Sequence, residues 1–132
     1  MKPTLYLIRG VPGAGKTSFA VNLWKMSLVE RVYEADQYFY QNDKYEFDPN
    51  KLADAHEKCQ RNTRIALSEG KSVAVSNTSC TEWEVGIYEV IAAEYGANFV
   101  SIIVENRHGN PSVHGVPDEK VEQMKRKFSV KL

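Results

Sequence analysis

The sequence predicts an α/β fold in which helices cover both faces of a small, mostly parallel four-stranded sheet. Three observations predict it. Short apolar runs alternate with stretches of helical periodicity in the order β-α-β-α-β-α-β. Two of the runs, "SVAVS" and "NFVSIIV", are apolar at successive rather than alternate positions, as strands buried on both faces are. The first run, "TLYLI", leads directly into a glycine-rich turn, "RGVPGAGKTS", and then into a helical stripe.

Taken in order, the first strand covers about Thr4 to Arg9, and the helix after the turn is expected to bury Ala20, Leu23, Trp24 and Leu28. The short run "RVYEA" ends at Asp36. After the turn-rich, aromatic segment "QYFYQNDKYEFDPN", a long helix can begin near Asn50 and run to about Glu69, with Gly70 as its stop. Its buried face is expected to be Leu52, Ala55, Cys59, Thr63 and Ala66. The strand "SVAVS", an amphipathic helix carrying Trp83, Ile87, Val90 and Ile91, and the strand "NFVSIIV" complete the alternation. With no internal repeat or low-complexity segment, residues 1–132 read as a single domain, with a lid and basic helix at about 105–128.

Composition narrows the function classes. Seventeen basic and seventeen acidic residues cancel, so no global field draws in a polyanion and any nucleic-acid site must be local. Cys59 and Cys80 are too few for a disulfide framework, and the three histidines and two cysteines lack zinc-ligand spacing. No apolar run approaches membrane-spanning length and no secretory leader is recognised, so the expectation is a cytoplasmic protein without a membrane partner. No protein partner is evident.

The turn carries the chemistry. Gly10, Gly15, Lys16 and Thr17 fill the fixed positions of G-x-x-x-x-G-K-[ST], the phosphate-binding loop pattern. In such a loop the backbone of Gly10, Val11, Pro12, Gly13, Ala14, Gly15, Lys16, Thr17 and Ser18 curls so that successive N–H groups aim at phosphate oxygens. The helix that follows favours an anion at its N-terminus. Lys16 can reach the β- and γ-phosphates, and the Thr17 hydroxyl suits Mg2+. ATP with Mg2+ is the expected ligand pair, the context of strand before and helix after being what the motif requires.

In open parallel sheets ligands sit beyond the carboxyl ends of the strands. Asp36 falls at such an end, where a carboxylate can accept a proton from an attacking hydroxyl. The same spacing suits a helix or turn cap.

The segments "RGVPGAGKTSFA", "ADQYFY", "FDPNKLADAHEKCQ", "SNTSCTEWE" and "HGVPDEKVEQM" resemble, in order along nearly the whole chain, the polynucleotide-kinase-like branch of P-loop kinases. The resemblance implies a P-loop NTPase three-layer α/β/α sandwich, with the residue at Asp36 as general base for a hydroxyl acceptor. It also sets Ser76, Asn77 and Thr78 facing the cleft as substrate or metal second shell. Members usually read D-N-T after the third strand, where this chain has Ser76. Polynucleotide-phosphorylating members carry an arginine three residues after the base, where this chain has Phe39. The lid arginine before H-G-V-P is absent, and Arg107 is the candidate to replace it, ahead of Lys125 and Arg126. The implied activity is γ-phosphate transfer from ATP to a hydroxyl on a nucleic-acid end or a small molecule; ATP hydrolysis and a non-catalytic nucleotide-binding module are the alternatives.

Overall fold

The structure, a computed structural model, describes residues 2–11, 14–77 and 82–105. Four parallel strands, β1 (Thr4–Arg9), β2 (Arg31–Tyr33), β5 (Val73–Ser76) and β6 (Asn98–Ile103), form a sheet of order β2-β5-β1-β6. A second, two-stranded sheet is the hairpin β3 (Tyr40–Gln41) and β4 (Lys44–Tyr45). Asn42 and Asp43 turn that hairpin with positive φ values of 52° and 64°, the backbone a two-residue hairpin demands. The "QYFYQNDKYEFDPN" segment thus contains regular structure that its length of polar and aromatic residues does not advertise.

The strands alternate between two apolar layers. Leu5, Leu7, Val73 and Val75 face α2 (Leu52–Ser68) and α3 (Glu82–Glu94), meeting Ala55, Cys59, Ala66, Val85, Tyr88 and Ile91. Ile8 and Ala74 face α1 (Lys16–Lys25), meeting Ala20 and Leu23, with Val29 closing the layer. Period-two alternation with an apolar residue on both sides is what makes the central strands read as continuous apolar runs. The result is the three-layer α/β/α sandwich the sequence predicts.

Helix ends, competing apolar stripes and a sheet edge account for the differences from expectation. Helix α1 stops at Lys25 in a Schellman turn: the Ser27 N–H donates to the Trp24 carbonyl and the Leu28 N–H to the Leu23 carbonyl, both at 3.0 Å. Leu28 therefore lies past the helix and is 48% exposed, and Trp24, one position off the Ala20–Leu23 stripe, is 55% exposed. Gly70 ends α2 by the same motif, as expected, and Leu52 on its first turn remains exposed. In α3 two apolar stripes compete: Val85, Tyr88, Ile91 and Ala92 take the core, leaving Trp83 and Val90 outside. Strand β6 lies at the sheet edge, so it is half-buried rather than fully buried.

Candidate phosphate-binding and transfer site

All four strands of the main sheet run parallel, so their carboxyl ends share one edge. The glycine-rich loop leaves β1 there. At Gly10 a Cβ would sit 2.7 Å from the Val104 carbonyl oxygen, because the Val104 N–H donates to the Arg9 carbonyl at 2.8 Å and draws the chain after β6 against the loop's first residue. Gly10 is thus required by backbone packing. Gly15 has φ 95°, the left-handed conformation that a glycine adopts freely, and it is the N-cap residue of α1. Among the described residues no side chain caps that helix, its first turn carries no acidic residue, and a helix N-terminus of this kind favours an anion.

Lys16, the first residue of α1, donates from Nζ to the Val11 carbonyl at 3.0 Å, folded back over the loop. Thr17 and Ser18 are exposed on the first turn. The Thr17 hydroxyl donates to Glu34 Oε1 at 2.5 Å. Glu34 follows β2 directly and is the N-cap residue of a 3₁₀ helix, Ala35–Phe39. Its N–H donates to Gln37 Oε1 at 3.2 Å and its carbonyl accepts the Gln37 N–H at 3.2 Å, so its backbone is held on both sides. Glu34 is the residue that sequence reasoning passed over. The expected run "RVYEA" put Glu34 inside the strand, whereas β2 stops at Tyr33, so the strand-end signal that singled out Asp36 passed it by.

Asp36 lies inside the 3₁₀ helix, half-buried, and its Oδ1 accepts a 3.4 Å hydrogen bond from the Tyr45 hydroxyl. Burial, with the Asp36 carboxylate as the next cause, pushes the Tyr45 phenol up to about 12. The cap position that Asp36 could have filled is occupied by Glu34. Phe39 is buried, edge-on to Tyr38, Tyr45 and Phe47 with centroids 5.4, 6.3 and 5.0 Å apart. These aromatic rings anchor the hairpin and the 3₁₀ helix to each other.

The end of β5 is apolar in charge and tightly bound. Ser76 is 5% exposed, and its Oγ has no hydrogen-bond partner among the described residues. Asn77 turns inward: its Oδ1 accepts the Ala35 N–H at 2.8 Å, and its Nδ2 donates to the Tyr88 hydroxyl at 3.2 Å. The Tyr88 hydroxyl in turn donates to Cys59 Sγ at 3.5 Å, and burial raises both the tyrosine and the cysteine above their ordinary values. Asn77 therefore serves the edge by fixing the residue before Asp36, with its amide committed to protein partners. Pro12, Gly13, Thr78, Cys80, Arg107, Lys125, Arg126 and the lid beyond residue 105 lie outside the described residues. A cleft of about 150 Å³ opens beside Glu34, walled by Gln37, Tyr38, Lys58, Cys59 and Asn62, with Lys58 Nζ 5.9 Å from the centre of the Tyr38 ring.

A hydroxyl bonded to a carboxylate is a hard-oxygen donor pair of the kind Mg2+ takes, and among the described residues no group of three or more His, Cys, Asp or Glu forms a protein cage. No described helix is long and apolar enough to cross a membrane.

Comparison with known proteins agrees with this architecture. The APS kinase CysC of Mycobacterium tuberculosis, solved in complex with AMPPNP and APS, superposes with a TM-score of 0.61 at 16% identity over 92% of this chain and 68% of that one. A chain of the Pnkp1/Rnl/Hen1 complex gives 0.63 at 17% identity over 98% of this chain and 40% of that one. A gluconokinase from Sinorhizobium meliloti gives 0.60 at 12% identity over 98% and 77%. At such identities the likeness is one of fold. Human NEDD4-binding protein 2 is 28% identical over 128 residues, which are 91% of this chain but 7% of the length of that relative. A family model described as an AAA domain matches residues 5–130, and the chain, with its P-loop kinase-like fold, belongs to that family.

Proposed function

We propose that the chain is an ATP-dependent phosphotransferase that moves the γ-phosphate to a hydroxyl acceptor, either a nucleic-acid 5′-hydroxyl or a small hydroxyl compound. The observation that carries this reading is the Thr17–Glu34 hydrogen bond, which holds the start of the loop helix against the segment where Asp36 follows two residues later. That contact supports a reading in which the nucleotide loop and Asp36 act at one edge of the sheet.

In this reading the loop backbone from Gly10 to Ser18 cradles the phosphates, and Lys16 exchanges the Val11 carbonyl for phosphate oxygens. Mg2+, held through the Thr17 hydroxyl, would neutralise charge developing on the transferred group. Asp36 accepts the acceptor's proton, and Asn77 keeps the backbone before it in place through Ala35. Arg107 remains the proposed lid cation. Phe39 is committed to the aromatic cluster, which favours a nucleic-acid end or small molecule over a long polynucleotide track. Lys58 supplies the cation lining the described cleft.

Incubation of the protein with γ-labelled ATP and a panel of 5′-hydroxyl oligonucleotides and small hydroxyl compounds tests the reading. Label transfer with ADP release only when an acceptor is present is the expected result. Acceptor-independent ADP release would make the protein a hydrolase, and nucleotide binding without turnover a binding module.

A further inference from the structure

A phosphate-loop hydroxyl that holds Mg2+ ordinarily shares the ion's surroundings with a carboxylate from another strand end. The described strand ends offer few. Ser76 and Asn77, which close β5, are uncharged, and Glu105 lies beyond β6 at the edge of the sheet opposite β2. Asp36 is assigned to proton transfer. Glu34 is the acid whose carboxylate touches Thr17, 17 residues earlier in the chain.

The sheet register explains how it comes to stand there. Strands β2 and β5 pair in parallel with Arg31 opposite Val73, Val32 opposite Ala74 and Tyr33 opposite Val75. One step further along each chain come Glu34 and Ser76. The Ser76 hydroxyl, 5% exposed and without a described partner, occupies that level of β5 with neither a charge nor a competing bond. We infer that Glu34 is the Mg2+-organising carboxylate of this site, displaced by one strand from the position that Ser76 fills. This rests on the nucleotide reading of the loop but not on turnover. At this level the acid stands on β2 and a neutral hydroxyl on β5.

The test measures AMPPNP affinity by calorimetry in excess EDTA and in excess MgCl2 for the unaltered protein, Glu34→Gln, and the exchanged pair Glu34→Ser/Ser76→Asp. Glutamine keeps an oxygen for the Thr17 hydroxyl, so a thermal melt serves as the fold control. The ratio of affinities with and without Mg2+ is expected to fall about 10- to 100-fold in Glu34→Gln. The EDTA affinity should hold or rise, and the exchanged pair, if its melt is intact, should regain most of the ratio. Manganese EPR on the AMPPNP complex gives a second readout, with loss of bound-ion signal expected in Glu34→Gln. A Glu34→Gln ratio within twofold of the unaltered protein overturns the role of Glu34 and leaves the phosphotransferase reading standing. Metal coupling that behaves as expected in a protein that transfers no phosphate does the reverse. Failure of the unaltered protein to bind AMPPNP overturns both.

Discussion

Replacement of Asp36 by asparagine separates transfer from binding. The substitution keeps side-chain shape and an Oδ1 able to accept the 3.4 Å bond from the Tyr45 hydroxyl. That contact is long, half-buried and retained, so the stability cost is expected to be under about 1 kcal/mol. What disappears is the proposed proton acceptor. Loss of a general base slows transfer by roughly 10²–10⁴-fold, equivalent to about 3–5 kcal/mol of barrier. Affinity for ATP should change by less than about threefold, because under the proposed function the phosphates are met by loop N–H groups and Lys16 rather than by Asp36. Single-turnover transfer to the best acceptor, measured beside a thermal melt and an ATP titration, reads all three quantities. A near-normal rate in a folded Asp36→Asn protein would refute the general-base assignment. A large fall in melting temperature with the rate per folded molecule unchanged would make Asp36 a structural residue.

Three further outcomes follow from the geometry. Lys16→Ala removes the 3.0 Å bond to the Val11 carbonyl on a half-buried side chain and should lower the melt far less than it weakens ATP binding, which is expected to fall at least tenfold by calorimetry. Asn77→Ala orphans the buried Ala35 N–H and removes the amide bonded to Tyr88; a loss of about 2–3 kcal/mol in urea unfolding is expected, with slower transfer at saturating ATP because the Asp36 backbone loses its support. Ser27→Gly relieves a non-glycine residue held at φ 61° in the Schellman turn of α1 and should stabilise the protein by about 0.5–1 kcal/mol without altering nucleotide affinity.

Much of the fold is legible in the sequence because the central strands carry apolar residues on both faces. "TLYLI" and "SVAVS" could be satisfied only between helical layers, and the loop motif fixes which strand comes first. Helix faces were less legible. In α3, of the expected Trp83, Ile87, Val90 and Ile91, Ile91 is buried and Ile87 packs against the core, whereas Trp83 and Val90 are exposed and Val85, Tyr88 and Ala92 take the rest of the buried face, a choice made by the sheet. The stop of α1 was hidden because a serine takes the left-handed position where Gly70 and Gly96 announce the ends of α2 and α3. Asn77 was legible as a strand-end residue, yet its direction was not: the Ala35 N–H that captures it lies 42 residues away.

Glu34 shows most clearly why a motif and a site are different objects. A motif records positions along the chain, whereas the edge of a parallel sheet is built from neighbours that the chain order separates. Ser76, read alone after "SVAV", signals a missing acid. Beside β2 it is one half of a pair whose other half carries the charge, and the strands are locked in register by the residues immediately before them. The departure at Ser76 therefore does not by itself leave the loop helix without a neighbouring carboxylate, because Glu34, one step past the paired residues of β2 and β5, accepts the Thr17 hydroxyl at the same edge.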